Sequence, residues 1–179
     1  MIMKKTILLA TCMVLLASKA YSQGLFHFSN LGGMLTRIGS VDGPLAGPEI
    51  WAQMLAGPRP DSLAPVGVPI EHLLFNGVPT GAVSDGAVAV PGILPFETAY
   101  VKMLAWDGTR WGTVLSGVPP DQLGMTDIVP VFLTDNKIGF PRAPHFTQPA
   151  IVPIPEPSAF ALVLVGGAAL FLSRTRRRQ

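Results

Sequence analysis

The amino-acid sequence predicts an all-β fold, a small antiparallel β-sandwich or barrel-like domain with long loops rich in proline and glycine. All 18 prolines and 17 of the 19 glycines lie between residues 23 and 158 and make up about a quarter of that stretch. Proline inside a helix removes a hydrogen bond and clashes with the preceding turn, so this density argues against long helices. Short runs rich in β-branched and aromatic side chains recur at roughly ten-residue spacing, which is typical of a sandwich or barrel. A length of 179 residues allows one such domain.

These runs predict six to eight strands. In chain order they cover residues 25–28, 49–55, 66–70, 72–75, 87–90, 98–106, 110–115 and 128–133. Pro130 interrupts the last run, and because proline cannot donate to a sheet ladder we expect an edge strand or a bulge there. Residues 31–48 contain no clear run and are expected to form a long loop.

Three dipeptides predict hairpin turns, because asparagine or aspartate followed by glycine suits the positive φ angles of a two-residue turn. They are Asn76-Gly77, Asp85-Gly86 and Asp107-Gly108. The third would join the long run at residues 98–106 to the run at residues 110–115. Trp106 and Trp111 flank this turn, and we expect the two rings to pair across the strands.

The first 22 residues predict a secretory signal peptide. Two lysines precede an apolar run over residues 6–17, and the small residues Ala20 and Ser22 stand at the −3 and −1 positions of a cut before Gln23. Twelve apolar residues at ~1.5 Å each give a helix of ~18 Å, which is too short for the ~30 Å hydrocarbon core of a bilayer. We therefore expect residues 1–22 to be removed on export.

Charge is distributed unevenly along the chain. The formal net charge is +2, but residues 23–158 contain six basic and eleven acidic side chains and carry a net charge of −5. An acidic body lacks the basic face that phosphate backbones require, so we expect no nucleic-acid partner. The single cysteine, Cys12, lies in the predicted signal peptide. The mature chain is therefore expected to have no disulfide and no thiol nucleophile.

The C-terminal segment consists of three parts. Residues 151–158 are a proline-rich linker with the sequence Pro155-Glu156-Pro157, residues 159–173 are apolar, and residues 174–179 form a basic tail. The apolar part gives ~22 Å of helix, which can cross a bilayer with local thinning and arginine snorkelling. We expect a single transmembrane helix over residues 159–173, with the tail in the cytoplasm and the body, residues 23–150, outside. The alternatives are an ordinary tail anchor behind a proline stalk, and a helix-dimer face at residues 166–169.

This arrangement resembles the PEP-CTERM sorting signal, which combines a Pro-Glu-Pro motif, a short apolar helix and a terminal arginine cluster. The resemblance covers residues 152–179, and its matching residues are Pro155, Glu156, Pro157, Arg174, Arg176, Arg177 and Arg178. It implies a Gram-negative source, a processing partner of the exosortase class and only transient membrane contact. It also implies that the protein passes the inner membrane, is first anchored there, and then reaches the cell surface or the extracellular matrix. Residues 51–58, 61–67, 90–92 and 104–107 are similar to segments of small exported β-rich proteins, a similarity that implies no function.

No pattern in the body is typical of a catalytic or metal site. The three histidines, His27, His72 and His145, have no second ligand residue at helical or strand spacing, so we expect no metal and no cofactor. Phosphate-binding glycine loops and nucleophile elbows are also missing from the sequence. The leading hypothesis is a non-enzymatic structural or interaction protein. A hydrolase ranks third, since triads and paired carboxylates are assembled only by folding.

The tryptophans support the second hypothesis, a module that binds carbohydrate such as exopolysaccharide. Exposed aromatic rings on a sheet can stack on sugar faces, but aromatic side chains also dominate the cores of sandwiches. Trp51 and Trp106 lie in the clearest apolar runs, so we expect them in the core. Trp111, beside Arg110 near a predicted turn, is the candidate glycan contact.

Overall fold

The structure is a computed structural model that describes residues 23–135 and 140–154. Within these ranges the chain is mostly β-structure, as predicted, and the single α-helix is α1 (Gly108–Trp111). No helix in the described ranges is long and apolar enough to span a bilayer. The predicted signal peptide at residues 1–22 and the predicted transmembrane helix at residues 159–173 lie outside the described residues.

Eleven strands are present in the described ranges. They are β1 (Gly24–Ser29), β2 (Arg37–Ile38), β3 (Ile50–Gly57), β4 (Ala64–Glu71), β5 (Leu74–Phe75), β6 (Val78–Pro79), β7 (Ser84–Val90), β8 (Thr98–Asp107), β9 (Gly124–Met125), β10 (Val129–Phe132) and β11 (Ile151–Val152). Two 3-10 turns, Leu115–Gly117 and Pro120–Gln122, follow α1. The predicted runs coincide with β1, β3, β4, β5, β7, β8 and β10, apart from shifts at their ends.

The main sheet is antiparallel and has the strand order β10-β8-β3-β4. β3 and β8 pair over eight residues, from Ile50 opposite Asp107 to Gly57 opposite Tyr100. β9 and β10 both pair with the same edge of β8. β10 pairs near the N-terminal end of β8, and β9 pairs near the C-terminal end of β8. β10 is an edge strand of this order, which confirms the prediction made from Pro130.

The second sheet consists of β1 and β7, also antiparallel. The prediction of a turn at Asp85-Gly86 is wrong, because both residues lie within β7. Between the pairs His27–Ala87 and Ser29–Ser84 they oppose a single residue of β1, so they form a β-bulge, with Gly86 at φ 98°. A bulge of this kind uses the same positive-φ glycine that a hairpin turn would use.

The two sheets share one apolar core. Alternate residues of β1, β3, β7, β8 and β10 point into it. Its members are Phe26, Phe28, Ala46, Ile50, Ala52, Met54, Ala56, Val66, Val83, Val88, Val90, Ile93, Ala99, Val101, Met103, Ala105, Val129, Val131, Leu133, Phe146, Ala150 and Val152. After β10 the chain crosses from one sheet to the other. There the Leu25 N–H donates to the Thr134 carbonyl at 3.0 Å, and the Thr134 N–H donates back at 2.9 Å.

The predicted long loop at residues 31–48 contains one short strand, β2, which pairs in parallel with β11. β11 lies at residues that the sequence assigned to the linker, yet Val152 is only 1% exposed and belongs to the core. The body therefore includes at least the first two residues of the segment 151–158.

The predicted hairpin through Asp107-Gly108 is wrong. The Asp107 side chain instead caps α1 by accepting hydrogen bonds from the N–H groups of Thr109 and Arg110. The run at residues 110–115 consequently forms the end of α1 and the start of a 3-10 turn, and the partner of Trp106 is Trp51 of β3. A short acidic side chain before glycine serves as a helix cap as readily as a turn residue.

Candidate functional site

Most residues predicted to direct export and sorting lie outside the described residues. They are Ala20, Ser22, Pro155, Glu156, Pro157, Arg174, Arg176, Arg177 and Arg178. Gln23 is exposed and immediately precedes β1. At the other end Ile154 is exposed, and its side chain lies so close to Gly39 that a Cβ there would be 2.5 Å from Ile154 Cδ1.

Trp51 and Trp106, which the sequence predicted in the core, lie on the outer face of the main sheet, opposite the shared core. Trp51 and Trp106 are direct cross-strand neighbours on β3 and β8, one position out of phase with the inward-facing pair Ala52–Ala105. Trp106 is fully buried because the chain after β8 covers it, and its indole Nε1–H donates to the Gly112 carbonyl at 2.9 Å. The ring of Trp106 therefore fills a second, smaller apolar layer under α1.

Trp51 is half-buried and lies against the start of α1. A Cβ at Gly108 would be 2.2 Å from Trp51 Cδ1 and 2.7 Å from its Nε1. The absence of a side chain at residue 108 is what allows the indole and the helix backbone to meet. Position 51 thus joins β3 to α1.

Trp111 ends α1 and is half-buried. The guanidinium carbon of Arg110 lies 4.9 Å from the centroid of its ring, within the range of a cation–π interaction. Asp107 Oδ1 accepts from the Thr109 N–H at 2.9 Å, the Thr109 hydroxyl at 2.6 Å and the Arg110 N–H at 3.3 Å. This network holds the predicted glycan contact in place on a short, capped helix.

His72 is a buried polar side chain whose burial the sequence did not predict. It is 2% exposed, and its Nδ1 lies 2.7 Å from the Ile50 carbonyl oxygen. A carbonyl can only accept, so Nδ1 carries the proton and Nε2 is unprotonated; Nε2 is buried with no hydrogen-bond partner in the described structure.

Burial lowers the pKa of His72 from 6.5 to about 4, although the bond to Ile50 and the negative charge of Glu49 act in the opposite direction. The imidazole is consequently neutral at pH 7. Across residues 23–135 and 140–154, no three His, Cys, Asp or Glu side chains lie close enough to hold a metal ion. His72 thus stands without the further ligands that a metal site needs.

A groove of about 450 Å³ lies on the surface formed by the region around β2. It is lined by Gly33, Met34, Leu35, Arg37, Val41, Asp42 and Pro149. The Arg37 guanidinium donates to the Gly43 carbonyl at 2.7 Å and so shapes the turn beside the groove. Apart from Pro149, these residues belong to the segment 31–48, for which the sequence predicted only a loop.

The strands β5 and β6 form a hairpin with several exposed apolar side chains. We call residues 73–79 the apolar hairpin; Phe75 is 70% exposed and Val78 is 63% exposed. Asn76 and Gly77 both have positive φ angles, 51° and 79°, which confirms the predicted turn at this dipeptide. The sequence contained one signal for this surface, the absence of any charged residue between Glu71 and Asp85.

The comparisons with known proteins identify no relative. No protein-family model, no curated protein and no solved structure matches the chain.

Proposed function

We propose that this chain is an exported cell-surface or extracellular-matrix protein whose C-terminal segment is a sorting signal for an exosortase. The body has a structural or interaction role and performs no chemistry of its own. The single observation that supports this most is the position of the signal relative to the fold. Val152 is buried in the core, and the motif Pro155-Glu156-Pro157 begins only three residues later.

This placement suits processing at a membrane. The backbone of β11 is fixed by hydrogen bonds from the Arg37 N–H to the Ala150 carbonyl at 2.9 Å and from the Gly39 N–H to the Val152 carbonyl at 2.8 Å. Alternating prolines favour extended backbone after such an anchor point. A protease or transpeptidase would therefore meet the motif at the edge of a folded domain.

Replacement of Pro155, Glu156 and Pro157 by alanine tests the sorting role. We expect the triple variant to accumulate in the membrane fraction at its unprocessed size, as judged on a gel of fractionated cells. The matched control replaces Pro119, Pro120 and Asp121, which likewise comprise two prolines and one acidic residue but belong to a surface turn. Normal processing of the first variant would refute the sorting proposal.

A carbohydrate-binding role is the second candidate, and the pairing of Arg110 with Trp111 favours it. The Arg110 guanidinium lies over one face of the half-buried indole, so a sugar ring would stack on the other face, with the guanidinium N–H groups as donors for its hydroxyls. We expect soluble envelope polysaccharide to shift the tryptophan fluorescence, and Trp111→Ala to abolish the shift. If the wild-type protein gives no shift, this role is refuted, while the sorting role is unaffected.

We also propose that the two antiparallel sheets form a sandwich that is closed on one side like a barrel. The paired hydrogen bonds between Leu25 and Thr134 support the closure. Amide hydrogen exchange would test it, since these two N–H groups should exchange as slowly as those of β3 and β8. Fast exchange at both would indicate an open sandwich.

A further inference from the structure

The apolar hairpin has exposed side chains on both of its faces. All seven residues from Leu73 to Pro79 are exposed, so the hairpin stands away from the body. A two-residue turn with positive φ angles at Asn76 and Gly77 gives it a defined shape. Contiguous exposed apolar surface on a soluble domain marks a site of interaction.

The residues that follow the hairpin contact the same short segment, around β2, as the last strand of the body. The Gly81 carbonyl accepts from the Thr36 N–H at 2.8 Å, and the next residue, Arg37, donates to Ala150 just before β11. Because β11 runs parallel to β2, the chain leaves the body at the other end of β2, where the Ile154 side chain lies against Gly39. Three residues of extended chain, about 10 Å, therefore separate the contact of Gly81 with Thr36 from the C-terminal exit at Gly39.

The length of chain beyond Ile154 restricts how far the body can lie from a bilayer. Only residues 155–158 separate Ile154 from the apolar run at 159–173. Five residue steps at ~3.3–3.6 Å each span at most about 18 Å. If the apolar run enters a membrane, Ile154 and the adjacent Gly39 end of β2 are held close to the lipid surface, and Gly81, just after the hairpin, contacts the other end of β2 about 10 Å away.

The charges around the hairpin indicate which kind of lipid headgroup it would contact. No Asp, Glu, Lys or Arg occurs between Glu71 and Asp85, and the two flanking charges are both negative. Basic residues, which attract anionic lipid, are thus missing from this stretch, and the acidic flanks would be repelled by anionic headgroups. An uncharged, zwitterionic lipid surface fits this pattern.

We propose that the apolar hairpin is a second membrane contact, which inserts Leu74, Phe75 and Val78 into the interfacial layer of the bilayer that holds the C-terminal segment. Its depth is limited to the headgroup and upper acyl region, where water still reaches the Asn76 side chain. The cross-strand pairing of β5 with β6 satisfies part of the hairpin backbone there. The inference rests on the proposed membrane anchoring of the C-terminal segment.

Two tryptophan reporters test the insertion in the full chain. Phe75→Trp places a reporter on the hairpin, and Phe140→Trp places one at a 98% exposed position elsewhere. Each variant is reconstituted into phosphatidylcholine vesicles with ordinary or brominated acyl chains, and wild-type emission is subtracted. We expect brominated lipid to remove the emission added by Phe75→Trp and to leave that added by Phe140→Trp.

A second pair of variants tests whether the apolar side chains drive the insertion. Val78→Glu, in the Phe75→Trp background, should restore emission in brominated vesicles. Val68→Glu, at a position on β4 with the same 63% exposure, should not. Both positions are at the surface, and circular dichroism of the two variants verifies that the fold is retained.

The outcomes separate this inference from the proposal on which it rests. Chain that floats with vesicles while Phe75→Trp emission is unquenched would overturn the hairpin contact alone. Chain that fails to float would overturn both the anchor and the hairpin contact. A blue shift of Phe75→Trp emission with rising protein concentration, without lipid and together with a dimer in sedimentation, would assign the hairpin to a second copy and overturn the membrane contact.

Discussion

The burial of His72 makes the stability of the fold depend on pH. Its pKa is lowered from 6.5 to about 4 in the folded protein, mainly by burial, so the unfolded chain binds the proton more readily than the native one. Stability must then rise with pH across this window: it is highest above pH 6.5 and is lost as pH falls toward 4. A shift of this size corresponds to roughly 3 kcal/mol.

We therefore expect the free energy of unfolding in urea to fall by roughly 3 kcal/mol between pH 7 and pH 4 through this group. In His72→Gln, whose amide can still donate to the Ile50 carbonyl, this part of the slope should disappear. His145 is exposed, and His145→Gln is the control that should retain the slope. Equal slopes in wild type and His72→Gln would contradict the assignment.

At Gly108 the backbone of α1 lies directly against the Trp51 ring of the main sheet. A methyl group there would lie 2.2 Å from Trp51 Cδ1, so Gly108→Ala must displace the indole or the helix. We expect a loss of about 1–3 kcal/mol in the free energy of unfolding and a change in tryptophan emission. At Gly117 the nearest atom to an added Cβ is 4.0 Å away, so Gly117→Ala should leave both measurements nearly unchanged.

At the scale of elements, composition was enough to predict most strands. It was not enough to predict which local structure an Asn-Gly or Asp-Gly dipeptide forms. β8 could be predicted because Thr98–Asp107 is a long run of β-prone side chains. The dipeptides at residues 76, 85 and 107 look alike, yet they form a turn, a bulge and a helix cap. The difference depends on long-range pairing, such as that of β7 with β1, which no local pattern contains.

Asp127 links the last part of the body, around Thr147 and Gln148, to the rest of the fold. This carboxylate accepts from the Thr147 N–H at 3.1 Å, the Thr147 hydroxyl at 2.5 Å and the Gln148 N–H at 3.2 Å. Burial acts to raise the pKa of Asp127, but the hydrogen bonds from Thr147 and Gln148 together lower it below 3.8. Its contribution to stability is thus present above pH 3.8 and is lost as pH falls through the lowered pKa.

We expect Asp127→Ala to cost about 1–2 kcal/mol, since charge-assisted hydrogen bonds at an accessible site are lost. Amide exchange at Thr147 and Gln148 should accelerate, while exchange in β3 stays slow. The control is Asp121→Ala, because the Asp121 carboxylate accepts from its neighbour Gln122 on the same surface turn. If exchange at Thr147 and Gln148 is unchanged, Asp127 does not hold this segment.

At the scale of the molecule, the sequence predicted the all-β class but not the contacts between residues that are distant in the chain. The outer-face layer around Trp106 depends on the chain after β8 folding back over the sheet, with Gly112 accepting the indole hydrogen bond. The apolar hairpin contains a turn that sequence could identify, but its exposure is a property of the folded body. For the same reason the burial of Val152 was not foreseen: proline-rich surroundings indicate a linker, whereas pairing with β2 makes a strand.

Because Val152 is buried, we predict that the folded body extends through β11 rather than ending at residue 150. A chain covering residues 23–150 lacks β11, and with it the fully buried Val152 side chain and the Gly39–Val152 hydrogen bond. Burial of one valine contributes ~1.5–3 kcal/mol, and one hydrogen bond about 1 kcal/mol.

We therefore expect the 23–150 chain to be less stable than the 23–154 chain by roughly 3 kcal/mol, measured as the difference in free energy of unfolding in urea. Val152→Ala in the longer chain should give a smaller loss in the same direction, because it removes buried methyl groups and keeps the backbone bond. Equal stability of the 23–150 and 23–154 chains would place the end of the body before β11. The Pro155-Glu156-Pro157 motif would then follow a linker rather than the edge of a folded domain.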